Sequence, residues 1–115
     1  MTAGWLYVLH FDNKLSHAQH YLGSTQNPTE RWTAHATGNG ARITEVLHEK
    51  GEHWIVAAVY QTLPNIDHLA AERHAKRQKN TAIYCPICNP KKNVAPKNTI
   101  ETPLHKPHST ELNSL

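Results

Sequence analysis

The segment Trp5-Leu-Tyr-Val-Leu-His-Phe11 constrains this chain more than any other. It is aromatic and aliphatic almost throughout and shows no alternation between apolar and polar positions. A strand with one face in water would alternate, whereas a short continuous apolar run reads as a strand covered on both faces. The rest of the chain therefore has to supply cover on either side of it.

The covering elements can be read from turn and cap residues. Asp12-Asn-Lys14 is turn material, and after a polar stretch to Gln19 the segment His20–Ser24 reads as a second strand, antiparallel to the first. Asn27 suits a helix N-cap, Pro28 the first helical position and Glu30 the third, so a helix is expected from there to about Thr37, stopped by Gly38. Gly38-Asn-Gly40 reads as a flexible loop, Ala41–Lys50 as a second short helix ended by Gly51, and Trp54–Tyr60 as a third strand. Asp67 can cap a further helix with its body over Leu69–Lys79. The order β-β-α-(α)-β-α predicts a small α+β domain, a three-stranded antiparallel sheet flanked by helices, over residues 1–88. Residues 89–115 hold four prolines and only isolated aliphatics, which predicts a disordered, basic, proline-containing tail without a core of its own.

At 115 residues there is room for one such domain. No basic segment followed by an apolar run opens the chain, and no apolar run approaches the roughly 20 residues of a membrane span. A cytoplasmic protein with no membrane partner is the default expectation. Nothing in the sequence sets an oligomeric state. The formal charge of +3 is mild, but its distribution is uneven: Arg73 to Lys97 holds seven Lys or Arg and no Asp or Glu. Such a stretch suits contact with phosphates, though charge alone favours the plainer reading of a solvated surface. Lys91, Lys92 and Lys97 read either as a basic arm that tracks a nucleic-acid backbone or as a solubilising tail.

Several residues carry possible chemistry. Paired strands can bring Tyr7 and Tyr21 onto one sheet face, and Arg31 and His35, four apart, share one face of the helix that follows. Gly23 would leave room for a substrate backbone to approach the sheet. Taken singly, each has a plainer reading: strand tyrosines that pack, a solvated Arg31 beside Glu30, a surface His35, and a Glu72–Lys76 ion pair worth about 0.3–0.5 kcal/mol. Arg42 reads as a loop arginine reaching a phosphate or as an ordinary helix-start residue.

In order, Tyr7 of Trp5-Leu6-Tyr7, Tyr21-Leu22-Gly23, Arg31, His35, Gly38-Asn-Gly-Ala-Arg42 and Glu72 resemble the motifs of the GIY-YIG nuclease superfamily, over roughly Gly4 to Asn80. Trp5, Leu6 and Leu22 depart from the residues that name the motifs, while both tyrosines are kept. Asn80 is a candidate for the family's late asparagine. The resemblance implies hydrolysis of nucleic-acid phosphodiester bonds, DNA in preference to RNA. It implies Tyr7 as general base, Arg31 on the phosphate, Tyr21 and His35 orienting water or phosphate, and Glu72 holding one Mg²⁺ or Mn²⁺. Arg42, Lys76, Lys79, Lys91 and Lys92 would meet the nucleic-acid backbone. A module on the same fold that binds without cleaving is the alternative.

Cys85-Pro-Ile-Cys88 has the spacing of half a zinc site, but a structural site needs four ligands and there is no second cysteine pair. His68, His74, His105 or His108 would have to complete it through the fold. Two reduced thiols are the reading preferred from sequence, and a zinc-stapled adaptor is the lesser one.

Overall fold

The computed structural model of the chain describes residues 3–91 and 94–113. Its long first strand, β1 (Trp5–Leu15), pairs on one edge with β2 (Ala18–Thr25) and on the other with β3 (Trp54–Thr62), both antiparallel. Between them come α1 (Pro28–Ala36) and α2 (Arg42–Glu49), and after β3 come α3 (His68–Arg77) and a 3-10 turn, Thr81–Tyr84. β4 (Thr99–Glu101) and α4 (Ser109–Asn113) close the chain, and the sheet order is β2-β1-β3-β4. The α+β class and the antiparallel sheet flanked by helices stand as expected.

β1 is covered on both faces because it is an inner strand with helices on either side. Leu6 and Val8 pack with Leu22, Ala58, Tyr60 and the α3 residues Ala71 and Ala75. Tyr7, Leu9 and Phe11 point the other way, against Trp32 and Ala36 of α1, Leu47 of α2, and Val56 and Val59. All five β1 residues are fully buried. At about 1.5–3 kcal/mol for each aliphatic or aromatic side chain so buried, this strand is the main apolar anchor of both layers. The helix starts follow the cap residues: Asn27 accepts from the Glu30 amide at 3.3 Å and Asp67 from the Ala70 amide at 3.2 Å. The hairpin differs from expectation. β1 runs on through Asp12-Asn-Lys14, and the reversal falls at Ser16, which takes φ 58°.

The strand count needs correction from three to four, and the added strand comes from the segment expected to be a tail. The outer edge of β3 presents backbone groups that need partners, and residues beyond 95 supply them. Thr62, Gln61 and Tyr60 pair with Thr99, Ile100 and Glu101, and the Val56 amide donates to the Pro107 carbonyl at 3.0 Å. The buried Ser109 hydroxyl accepts from the Trp54 amide at 3.0 Å. Prolines cannot donate to a ladder but their carbonyls accept, so a proline-rich segment can still seal an edge. Its composition hides this because the ordering comes from main-chain bonds rather than from an apolar face.

Ser109→Ala leaves the buried Trp54 amide without its acceptor and is expected to cost about 1–2 kcal/mol. The measurement is the urea midpoint at unchanged slope. An unshifted midpoint would mean that this segment is solvated after all.

Candidate active site

The register of β1 on β2 sets Tyr7 directly opposite Gly23 and therefore diagonal to Tyr21 on the same face, with ring centroids 6.2 Å apart. α1 starts three residues after β2, and its Arg31 and His35, one turn apart, both reach the Tyr7 phenol. The hydroxyl lies 2.5 Å from His35 Nε2 and accepts from Arg31 Nε at 3.3 Å. Gly23 is required by this packing: a Cβ there would sit 2.6 Å from the Tyr7 hydroxyl oxygen. The room expected at Gly23 for a substrate backbone is filled by the protein's own phenol.

The proton positions follow from the network. The guanidinium only donates, so the Tyr7 oxygen accepts from it and directs its own proton to His35 Nε2. Nδ1 then carries hydrogen and donates to Thr44 Oγ1 at 2.8 Å, and Thr44 donates on to the Ala41 carbonyl at 2.8 Å. The Ala41 amide also points at Nδ1, at 3.4 Å, a long contact that the Nδ1–H tautomer leaves unmade in favour of the shorter bond to Thr44. His35 is therefore a buried link, not a surface histidine. Gly40 belongs to the same packing, because a Cβ there would come within 2.3 Å of His35 Nδ1. Close approach to an imidazole, not loop flexibility, explains that glycine.

Burial dominates the protonation of both rings. It raises the Tyr7 pKa well above the ordinary phenol value, against the hydrogen bond from Arg31, which lowers it. It lowers His35 to about 4, with the Arg31 charge acting in the same direction. In the free protein the pair is thus a neutral phenol donating to a neutral imidazole.

Glu72 and Lys76 come from α3, on the other face, and lie at the margin of β2, an outer strand of the sheet. Ser24 Oγ donates to Glu72 Oε1 at 2.6 Å, and Lys76 Nζ lies 3.0 Å from Glu72 Oε2. The same ammonium stands 5.4 Å from the centre of the Tyr21 ring, and the Glu72 charge is near enough to contribute to the raised Tyr7 pKa. The i,i+4 ion pair expected from spacing is real, and it borders the tyrosine cluster.

Other expected residues lie elsewhere. Arg42 is exposed and pairs with Glu45. Lys79 and Lys91 are exposed, and Lys92 lies outside the described residues. Asn80 precedes the 3-10 turn and makes no side-chain cap there. Cys85 and Cys88 sit across the sheet from Tyr7, beside His10 and His20 rather than any of the four histidines considered from sequence. Of those four, His105 faces Glu111 and His108 faces Asp12. Thr44, Gly40 and Ser24 went unread as site residues. Gly40 alone left a signal, in Gly38-Asn-Gly40.

The sequence matches the family model of the GIY-YIG catalytic domain over residues 3–85. The chain belongs to the GIY-YIG family. No curated protein and no solved structure matches it significantly. GIY-YIG domains are nucleic-acid endonuclease domains and generally use a divalent metal, so the tyrosine cluster lies in a nuclease-type fold. The matched segment takes in every residue of the cluster, from Tyr7 to Lys76. Glu72 suits a hard cation: its carboxylate is partly exposed, and Ser24 and Lys76 each engage one oxygen while leaving further lone pairs.

The buried neutral His35 links stability to pH. Its folded pKa of about 4 lies below the usual 6.5, so between those values the unfolded chain binds a proton that the folded chain does not. Its contribution is complete above pH 6.5 and is lost as pH falls toward 4, on the order of 3 kcal/mol in all. Comparing denaturant stability of wild type and His35→Gln across that range isolates it. Parallel curves would remove the assignment of a buried neutral imidazole.

Proposed function

We propose that this GIY-YIG domain is a divalent-metal-dependent endonuclease acting on DNA in preference to RNA. Tyr7 is the general base, Arg31 the phosphate ligand and Glu72 the metal ligand. The observation that carries the reading is the Tyr7 hydroxyl held between a guanidinium and a neutral imidazole. A phenol needs help to act as a base near neutral pH. His35 Nε2, 2.5 Å away, is placed to take its proton, and Arg31 is placed to stabilise the phenolate left behind. Thr44 and the Ala41 carbonyl hold the imidazole in the tautomer that accepts.

Arg31 uses Nε on Tyr7 and also bonds Tyr21, so a phosphate would displace the Tyr21 contact to take its terminal nitrogens in the forked geometry guanidinium favours. One side chain then fixes the scissile group relative to the base. Tyr7 is fully buried, so the attacking water has to enter beside the partly exposed Arg31 and Tyr21. Tyr21, half-buried and diagonal to Tyr7, lines that approach. A bound divalent ion would supply positive charge at the phosphate and the leaving oxygen. Glu72 would hold it, and Lys76, which neutralises that carboxylate otherwise, would turn toward a backbone phosphate. Arg42, Lys79 and Lys91 add exposed positive charge for the flanking backbone.

Supercoiled plasmid, branched DNA and RNA, each with Mg²⁺ or Mn²⁺, make the test. DNA cleavage is expected, with Arg31→Ala and Glu72→Ala each lowering it by about 10²–10³-fold. Cleavage that survives both substitutions belongs to a contaminant or another site. Tight binding with no cleavage of any substrate would favour the non-cleaving module.

Because Tyr7 hands its proton to His35, the reactive pair holds as many protons as the resting pair, so the cleavage rate is expected to stay level between pH 7 and 9 and to fall only as pH drops toward the His35 value of about 4. A rate that climbs about tenfold per pH unit between pH 7 and 9 would mean that Tyr7 must first lose its proton to solvent, and would count against the relay.

A further inference from the structure

His10 and His20 face each other across the β1–β2 ladder, on the side of the sheet that packs against α3. Cys85 and Cys88 come from the end of the 3-10 turn and the turn that follows it. Four ligand atoms, one from each residue, lie within 4.8 Å of one another. His10 Nδ1 is 3.2 Å from His20 Nε2 and 3.6 Å from each sulfur, and Cys88 Sγ is 3.3 Å from His20 Nε2.

Hydrogen bonding does not account for this convergence. One imidazole nitrogen offers a single lone pair or a single hydrogen, yet His10 Nδ1 has three polar neighbours at contact distance. A shared centre does account for it. With Zn–S of about 2.3 Å and Zn–N of about 2.0–2.1 Å, a tetrahedron has N···N edges of about 3.3–3.4 Å and N···S edges of about 3.6 Å. These four separations fall at or slightly inside those edges, and the remaining two are within 4.8 Å. Both cysteines are free thiols, and two thiolates with two neutral imidazoles in tetrahedral array are a donor set that suits zinc.

We propose that His10, His20, Cys85 and Cys88 form a structural Cys₂His₂ zinc site. All four positions are filled by protein, so the ion has no open position for substrate and acts as a clip. It ties the Cys-Pro-Ile-Cys turn to the strand pair that carries Tyr7 and Tyr21. His20 adjoins Tyr21, so the clip also steadies the outer strand next to the tyrosine cluster. The fourth ligand, Cys88, lies beyond the segment that matches the family model. The proposal does not depend on the nuclease reading.

The test uses the full chain purified without chelator. Elemental analysis is expected to find about one equivalent of zinc, and Cys88→Ser and His20→Asn each to abolish tight binding. Chelation with recovery of the apo chain should lower Tm, and zinc should restore it. Co²⁺ added to the apo chain should give the absorption of a tetrahedral ion with thiolate charge transfer, whatever the folding of the variants. Zinc-free protein with no Co²⁺ spectrum would overturn the proposal. So would full zinc content in both variants, or a Cys85–Cys88 disulfide formed without added oxidant.

Discussion

The hydroxyl of Tyr7 is the point around which this domain is arranged. It has no contact with water and meets a cation and an imidazole at once, so neighbouring positions must accommodate it sterically and electrostatically. Gly23 has no side chain because the phenol occupies its place. Gly40 has none because the imidazole behind the phenol occupies that place. Thr44, from a different helix, sets which imidazole nitrogen faces the hydroxyl. Four separate stretches of chain are thereby committed to one oxygen atom. A buried polar group costs free energy unless it is satisfied, so these commitments stand or fall together.

The alternation of a β-strand divides the labour. On β1 and β2, one parity of residues carries Tyr7 and Tyr21 toward α1, and the other carries His10 and His20 toward α3 and the cysteines. Two clusters with different chemistry, oxygen and guanidinium on one side and sulfur and imidazole on the other, hang from the same pair of strands. Lys76 of α3 stands over the ring of Tyr21, with its partner Glu72 held on Ser24, because β2 is an outer strand whose margin is open to α3. The covered inner strand gives rigidity, and the open margin gives access.

Much of the frame was legible in the chain because its signals are local. A continuous apolar run marked the inner strand, and Asn27 and Asp67 marked helix starts by the reach of their own side chains. The i,i+4 spacings of Arg31 with His35 and of Glu72 with Lys76 correctly placed each pair on one helix face. The last quarter was misread. Pro107 and Ser109 are ordered by what β3 lacks, an acceptor for the Val56 and Trp54 amides, and that need lies about fifty residues away in sequence. Composition carries no trace of it.

By itself the amino-acid sequence determined β1 to β3 and α1 to α3, their order, the α+β class and the motif residues that carry the family resemblance. All of these rest on interactions within a few residues along the chain. Only the tertiary structure decided that His35 is a buried partner of Tyr7 rather than a surface histidine. It alone showed that Gly23 and Gly40 make room for rings rather than for substrate or motion, and that the cysteines face His10 and His20. Those outcomes depend on strand register and on which helix covers which face. A shift of one residue would send every side chain of β2 to the opposite side of the sheet, and no local pattern in the chain records where the far partners then lie.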